Sequence, residues 1–445
     1  MKKISRFARY DNSLKSKKML FTEDFLYHVW KFRLYDRTEL RTTNGELIDV
    51  LSPGMQNSHS GPDFQQARIK IGDTVWAGNV EIHVAASDWQ KHNHQVDKAY
   101  DNVILHVVFR NDATVYRTDG IEIPALELEH RIPAELYSRF HGLVYGRAQF
   151  IPCENSIHRV DDLTIRNWIT RLQIERLEKR AYGIANALHQ NRGDWEETFY
   201  QYLAANFGFK INALPFEMMA KSVPQIILAK HKNNPLQIEA LLFGQAGFLE
   251  DDFEDDYPNK LKAEYQFLRA KYTLQPGDKY AWKFMRLRPL NFPTIRLAQF
   301  AALVIRSNHL FSKILDVTDV NALRDLFADI KVNSYWETHY KFDAEAAPVS
   351  KTMGAESVNN LLLNTLALFL FAYGKQTGQE KYADRSMALL EALPAEHNSI
   401  VQGFADLGVK SKSAFESQAL LELKNNYCNY KRCLNCAIGN KILNL

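Results

Sequence analysis

The sequence predicts an α+β protein: a compact α/β unit over residues 1–150, then a large all-α domain over 151–445 closed by a cysteine cluster. Three observations carry that expectation. In the first third, apolar residues alternate with a period of two between turn signals such as Asn44-Gly45 and Gly72-Asp73. Beyond Asp161 they recur at helical spacing between Pro, Gly and Asn breakers, with no fixed repeat period. A chain of 445 residues also exceeds one ordinary core, at roughly 100–200 residues per domain.

The first element is a helix over Phe21 to Leu34, with Thr22 as N-cap and Phe25, Leu26, Val29, Trp30 and Leu34 on one side. Glu23 falls in its first turn, where a carboxylate suits the helix dipole. Short strands follow around Asn44-Gly45, then a hairpin of Ala67–Ile71 and Thr74–Val84 about Gly72-Asp73. Asp88 to Asn102 reads as a loop and a short helix, and Val103 to Arg110 as a further strand, so the unit ends near residue 145. The long stretch from Ile165 to Leu188 opens the helical part, and further helices are expected from Trp195 to Tyr427.

Charge excludes little. The 55 basic and 52 acidic residues leave a net charge of +3, so no global cationic field announces nucleic acid. A basic N-terminus (Lys2, Lys3, Arg6, Arg9, Lys15, Lys17, Lys18) and an acidic run from Glu250 to Asp256 read as solvated surface. No signal peptide pattern is present, and the apolar run Leu361–Ala372 falls short of the ~20 residues of a membrane span. A cytoplasmic protein without a membrane anchor is expected.

The chemistry is concentrated between Ser58 and Arg110. Glu81 and His83 lie two apart on a strand and share a face. If the Gly72-Asp73 hairpin forms, Asp63 comes back close to Glu81, so two carboxylates and an imidazole converge. Such oxygens suit Mg²⁺ or Mn²⁺, and a third basic group orients or deprotonates water. A transition-metal site of His83, His106 and one of His92 or His94 is a competing reading, as is a hydrogen-bonded aromatic cluster with Trp76, Trp89 and Tyr100. The run His92-x-His94-x-x-Asp97 has the wrong spacing for a metallo-β-lactamase motif.

Pro62-Asp63 followed by Glu81-x-His83 resembles the core of the PD-(D/E)xK nuclease superfamily, with His in place of Lys. The resemblance implies a restriction-endonuclease-like fold in which a helix with an acidic residue, here Glu23, precedes the hairpin. A helix with a polar residue and a tyrosine, here Asp97 and Tyr100, and then a strand follow. It also implies Asp63 and Glu81 as metal ligands and His83 in the place of the lysine that positions or activates water. The chain as a whole, through SGPDF, WAGNVEIHV, SDWQKHNH and YCNYKRCLNCAIG, resembles an uncharacterised bacterial family of unknown function.

Cys428, Cys433 and Cys436 cluster near the C-terminus, and Cys153 is the remaining cysteine. Together they make a tetrahedral set suited to Zn²⁺ or an iron-sulfur cluster. Some nucleases of the superfamily just named hold such a cluster with one remote and three C-terminal cysteines. Elsewhere, Arg286, Arg288 and Arg296 beside Pro289 and Pro293 offer phosphate contacts or interhelical ion pairs. Asn206–Pro215 reads as a glycine loop exposing Lys210 and Asn212. The functional expectation is a metal-dependent nuclease acting on nucleic-acid phosphodiesters, with a non-catalytic nucleic-acid-binding or scaffold protein as the alternative.

Overall fold

A computed structural model describes residues 21–445 apart from Ser58, Asn308 and Asp329. The basic positions from Lys2 to Lys18 lie outside the described residues. The chain forms two compact units, one comprising the residues up to Trp168 together with Asn425–Leu445, the other Ile169–Lys424. The first unit is thus discontinuous in sequence: the C-terminal segment belongs with the N-terminal sheet.

In the first unit, α1 (Glu23–Lys31) starts where Thr22 accepts a hydrogen bond from the Phe25 amide. It leads into β1 (Ile48–Ser52), β2 (Met55–Gln56), β3 (Phe64–Ile71) and β4 (Thr74–Ala85). A crossover with α2 (Asp88–Lys91) and the single turns His94–Val96 and Lys98–Tyr100 leads to β5 (Val103–Arg110), then β6 (Ala125–Glu127) and α3 (Ala134–Tyr145). The sheet runs β1-β3-β4-β5-β6, with β2 also on β3. The β1, β3 and β4 pairings are antiparallel, whereas β5 runs parallel to β4 and β6 parallel to β5. Parallel pairing requires a crossover, which the Asp88–Asn102 stretch supplies. β5 lies between β4 and β6 and is buried through its first six residues.

Two local features set the sheet's register. Around the Gly72-Asp73 turn, Ile71 faces Thr74 and Ala67 faces Gly78, but Phe64 faces Val80 because β3 bulges between Phe64 and Ala67. Gln66 sits there in the left-handed region, at φ 57°. Without the extra residue, Asp63 would fall opposite Ile82, on the wrong face; the bulge puts it opposite Glu81. At Gly78, a Cβ would lie 2.5 Å from Ile104 Cγ2 and 2.7 Å from the Asn102 carbonyl, so glycine is what lets β5 close on β4.

A long helix, α4 (Asp162–Gln190), begins before Trp168 and carries the chain into the second unit. There follow α5 (Trp195–Phe207), α6 (Phe209–Ser222), α7 (Gln225–Lys230), α8 (Pro235–Gln245), α9 (Asp256–Tyr272), α10 (Pro293–Arg306), α11 (Leu310–Asp316), α12 (Val320–Asp325) and α13 (Tyr335–Thr338). A small hairpin of β7 (His339–Lys341) and β8 (Ala344–Glu345) interrupts the helices. Then come α14 (Ala355–Leu361), a π turn, α15 (Ala367–Thr377), α16 (Glu380–Ala392), α17 (Ser399–Asp406) and α18 (Ala414–Glu422). The run Ala355–Thr377 is long and apolar enough to cross a membrane, yet 67% of its most apolar window is buried against this unit's own core. The expected glycine loop at Asn206–Pro215 is corrected to a helix, α6, kinked at Asn212. Asn212 is buried rather than exposed, because its amide both donates to the Lys283 carbonyl and accepts from the Lys283 amide. Back in the first unit, α19 (Ala437–Leu443) ends the chain against α3.

Candidate metal centre

β4 presents Glu81 and His83 on one face, and both are buried. Asp63, brought across by the bulge, gives its backbone N–H to Glu81 Oε2 at 3.0 Å. Its own carboxylate accepts from the Tyr27 hydroxyl at 2.8 Å and from the Ile82 amide at 3.0 Å. Tyr27 lies four residues after Glu23 on α1, one helical turn on. Burial, and then the charges of Asp63, Glu23 and Glu81, hold the Tyr27 hydroxyl protonated far above neutral pH, so it serves as a donor. Tyr100 is raised in the same way by burial and by Glu81 and Asp63. The Asp63, Glu81 and Glu23 carboxylates of the sequence expectation therefore act on one neighbourhood.

The crossover adds two imidazoles. His92 and His94 come down from α2 and the turn after it, and their ligand atoms lie with that of His83 within 4.8 Å of one another. His83 Nε2 is 3.1 Å from His92 Nδ1 and 3.6 Å from Glu81 Oε1, while His94 Nε2 is 3.3 Å from the same Oε1. Four ligands at the usual zinc bond lengths of about 2.0–2.1 Å define a tetrahedron whose edges are roughly 3.4 Å. The three measured separations lie close to that edge, so the three imidazoles, with Glu81 beside His83 and His94, suit a transition ion better than Mg²⁺, which prefers oxygen.

His106 takes a different part from the one expected. Its Nε2 lies 2.8 Å from His83 Nδ1, so it supports His83 from behind rather than joining the ligands. A lone pair on His83 Nε2 requires the proton on Nδ1, and that proton is then donated to His106. Burial first, and then the neighbouring His106, His92 and His94, drive His83 down to about 2. His106 falls to about 3, chiefly by burial. Both rings are neutral at pH 7. His83 therefore does not supply the permanent cation that the resemblance to the nuclease core would place at this position.

Aromatic packing fixes the rings. His94 stacks on Tyr100 at 3.8 Å between centroids, and fully buried Trp89 abuts His94, Tyr100 and His106. Trp89 is anchored by its indole N–H on the Tyr116 carbonyl. Trp76, expected in this cluster, is instead 46% exposed on the outer part of β4. Asp97 caps the following turn by accepting from the Ala99 amide. Sequence reasoning missed Tyr27, whose position one turn after Glu23 was the available signal. It also admitted only one of His92 and His94.

The four cysteines are free thiols, all in the first unit. Cys153 is pushed up to about 12 by burial and by the adjacent Cys436 and Cys433, and Cys433 likewise by burial and Cys436. Cys153 thus shares one buried neighbourhood with Cys433 and Cys436 from the far end of the sequence, with Cys428 partly exposed at the end of the preceding helix. Gly439 allows this: a Cβ there would sit 2.2 Å from the Cys433 carbonyl, so only glycine lets α19 pack on the Cys433–Asn435 turn. Thiols are the donors that a soft metal takes, and binding one would displace their protons.

No curated protein and no solved structure matches the chain. A family model described as protein of unknown function, DUF2851, matches residues 23–399. The match takes in the sheet, the histidine and carboxylate cluster and most of the second unit, and stops short of the three clustered cysteines. The chain belongs to the DUF2851 family.

Proposed function

We propose that this chain is a metal-dependent hydrolase of nucleic-acid phosphodiester bonds, with its centre at Asp63, Glu81, His83, His92 and His94. The observation that carries the reading is the one-residue bulge in β3, which sets Asp63 opposite Glu81 beside three imidazoles. The order of helix, antiparallel strands, crossover and parallel strand supports a nuclease-like core. Glu81, His83, His92 and His94 would hold a transition ion such as Mn²⁺ or Zn²⁺. Bound there, the ion would polarise a phosphoryl oxygen and acidify water. Asp63, oriented by Tyr27 and the Ile82 amide, would accept the proton of the attacking water. Glu23 adds negative charge that favours cation binding. His92, the exposed member of the triad, marks the side from which substrate would enter.

Cys153, Cys428, Cys433 and Cys436 would hold a second, structural centre, zinc or an iron-sulfur cluster. Free thiols throughout support a reducing, cytoplasmic setting. The absorbance spectrum of protein purified without air separates the two metals.

The test of the hydrolase loads the protein with Mn²⁺, Zn²⁺ or Mg²⁺ in turn. Bound metal is quantified alongside cleavage of single- and double-stranded DNA and RNA. One tightly held transition ion and metal-dependent cleavage are expected, with Asp63→Asn slowing cleavage about 10²–10⁴-fold while retaining the ion. Cleavage unchanged by Asp63→Asn would sink the assignment. Binding without cleavage under any of the three ions would leave the non-catalytic nucleic-acid-binding reading in its place.

A further inference from the structure

The second unit contains a cavity of about 590 Å³, within the range of small-molecule sites. Its wall includes Arg296, Asn291, Ser357, Asn359 and Asn360, with Phe209 at one side. Arg296, on α10, is only 5% exposed, and among the described residues no carboxylate forms an ion pair with it. Its guanidinium donates to the side-chain oxygens of Gln299, Asn291 and Ser357 and rests 4.5 Å from the centre of the Phe209 ring. Its Nε–H is buried without a partner. Gln299 is itself locked by its bond to the Lys351 carbonyl, so the acceptor facing Arg296 is fixed.

A buried cation wrapped only in neutral dipoles is uncommon, because desolvating a charge without a counter-ion costs several kcal/mol. Those dipoles are also spent in a consistent direction. Asn291 and Ser357 accept from Arg296, and Asn359 accepts from Arg324 Nε, which leaves the Asn291 and Asn359 amide N–H groups and the Ser357 hydroxyl proton available as donors. None of the three donates to another described residue. The cavity therefore offers a fixed positive charge and several unused donors, the complement of an oxyanion. Two carboxylates also reach the cavity. Glu396 is engaged by Gln418, and Glu356 is exposed to solvent. One buried acceptor, Asn360 Oδ1, lacks a partner and would take a donor from the same ligand.

We propose that this cavity binds a small organic oxyanion, a phosphate or carboxylate, paired with Arg296 and held by Asn291, Ser357 and Asn359. The site is independent of the metal centre, and its fate does not depend on the hydrolase reading.

Calorimetric titration and thermal unfolding of the full chain test it at constant ionic strength. The probes are inorganic phosphate, malonate and adenosine monophosphate, with chloride as control. At least one of the three should bind saturably at one site per chain and raise the melting temperature where chloride does not, and which one does so identifies the source of the oxyanion. Arg296→Gln should weaken that binding about tenfold or more. Asn359→Asp, isosteric and still able to pair with Arg324, should do the same by placing a negative charge in the wall, and serves if Arg296→Gln fails to fold. Absence of saturable binding with all three probes, or binding that survives both substitutions, overturns the proposal.

Discussion

The histidine cluster of the first unit and the isolated buried charges of the second handle buried polarity in opposite ways. In the first, Glu81, His83, His94 and His106 are buried against one another, so titratable groups satisfy titratable groups. In the second, Glu422 is paired with Arg176, but two buried ionisable side chains stand singly among neutral partners: Arg296 among amides and a hydroxyl, Glu239 beside Tyr257 and Asn333. A mutual cluster of imidazoles and a carboxylate is built of ligand atoms, so a cation would complete it. A single wrapped charge keeps, or gives up, its proton according to its own environment. On the proposed reading, the difference separates a metal-binding design from one that is sensitive to pH or to anions.

Three substitutions probe that contrast, beyond the two tests already given. The largest effect is expected at Glu239, which burial raises to about 7. A carboxyl with a folded value above its unfolded one contributes fully below about 4.5, and its contribution is lost as pH rises toward 7. The second unit should therefore lose on the order of 3 kcal/mol between pH 4.5 and 8 from this group. Glu239→Gln should flatten that slope in urea unfolding followed across pH, and an unchanged slope would mean that the carboxyl is already neutralised by other means. Next, His106→Phe removes the support behind His83 without opening a large cavity. Metal affinity should fall about 10–100-fold, with the fold retained, as measured by competition with a chelating dye. An unaltered affinity would show that His83 is not a ligand. The smallest change is Thr22→Ala, which removes the cap of the helix that carries Tyr27. It should lower stability by about 1 kcal/mol and leave metal affinity unchanged; a coupled loss of metal would mean that the two are not separable.

Much of the first unit was legible in the sequence. Asn-Gly and Gly-Asp turns, a capped helix and β-branched runs each follow from local chemistry, and α1, the β3–β4 hairpin and β5 formed where those signals placed them. The convergence of Asp63 and Glu81 was expected for an incomplete reason. Simple counting from Gly72-Asp73 gives the wrong face, and nothing in Gln65-Gln66 marks a left-handed residue, since that conformation is normally announced by Gly or Asn. The parallel register that places His106 opposite Glu81 depends on the span of the crossover and on the close approach at Gly78, both tertiary facts. The same holds for Arg296. Its pattern in sequence suited an ion pair as well as a phosphate contact, and only packing decides that no carboxylate comes to meet it.

The return of Asn425–Leu445 to the first unit has a consequence for how the protein is made. Lys431 bonds to the Val144 carbonyl, and α19 packs on α3, so the sheet unit is closed by chain that emerges after the whole helical unit. During synthesis the N-terminal strands emerge before the segment that completes their unit, more than 250 residues downstream. Closure, and the gathering of the thiols around Cys153, therefore need chain from beyond the helical unit, and a chain broken off within that unit lacks the segment that packs on α3.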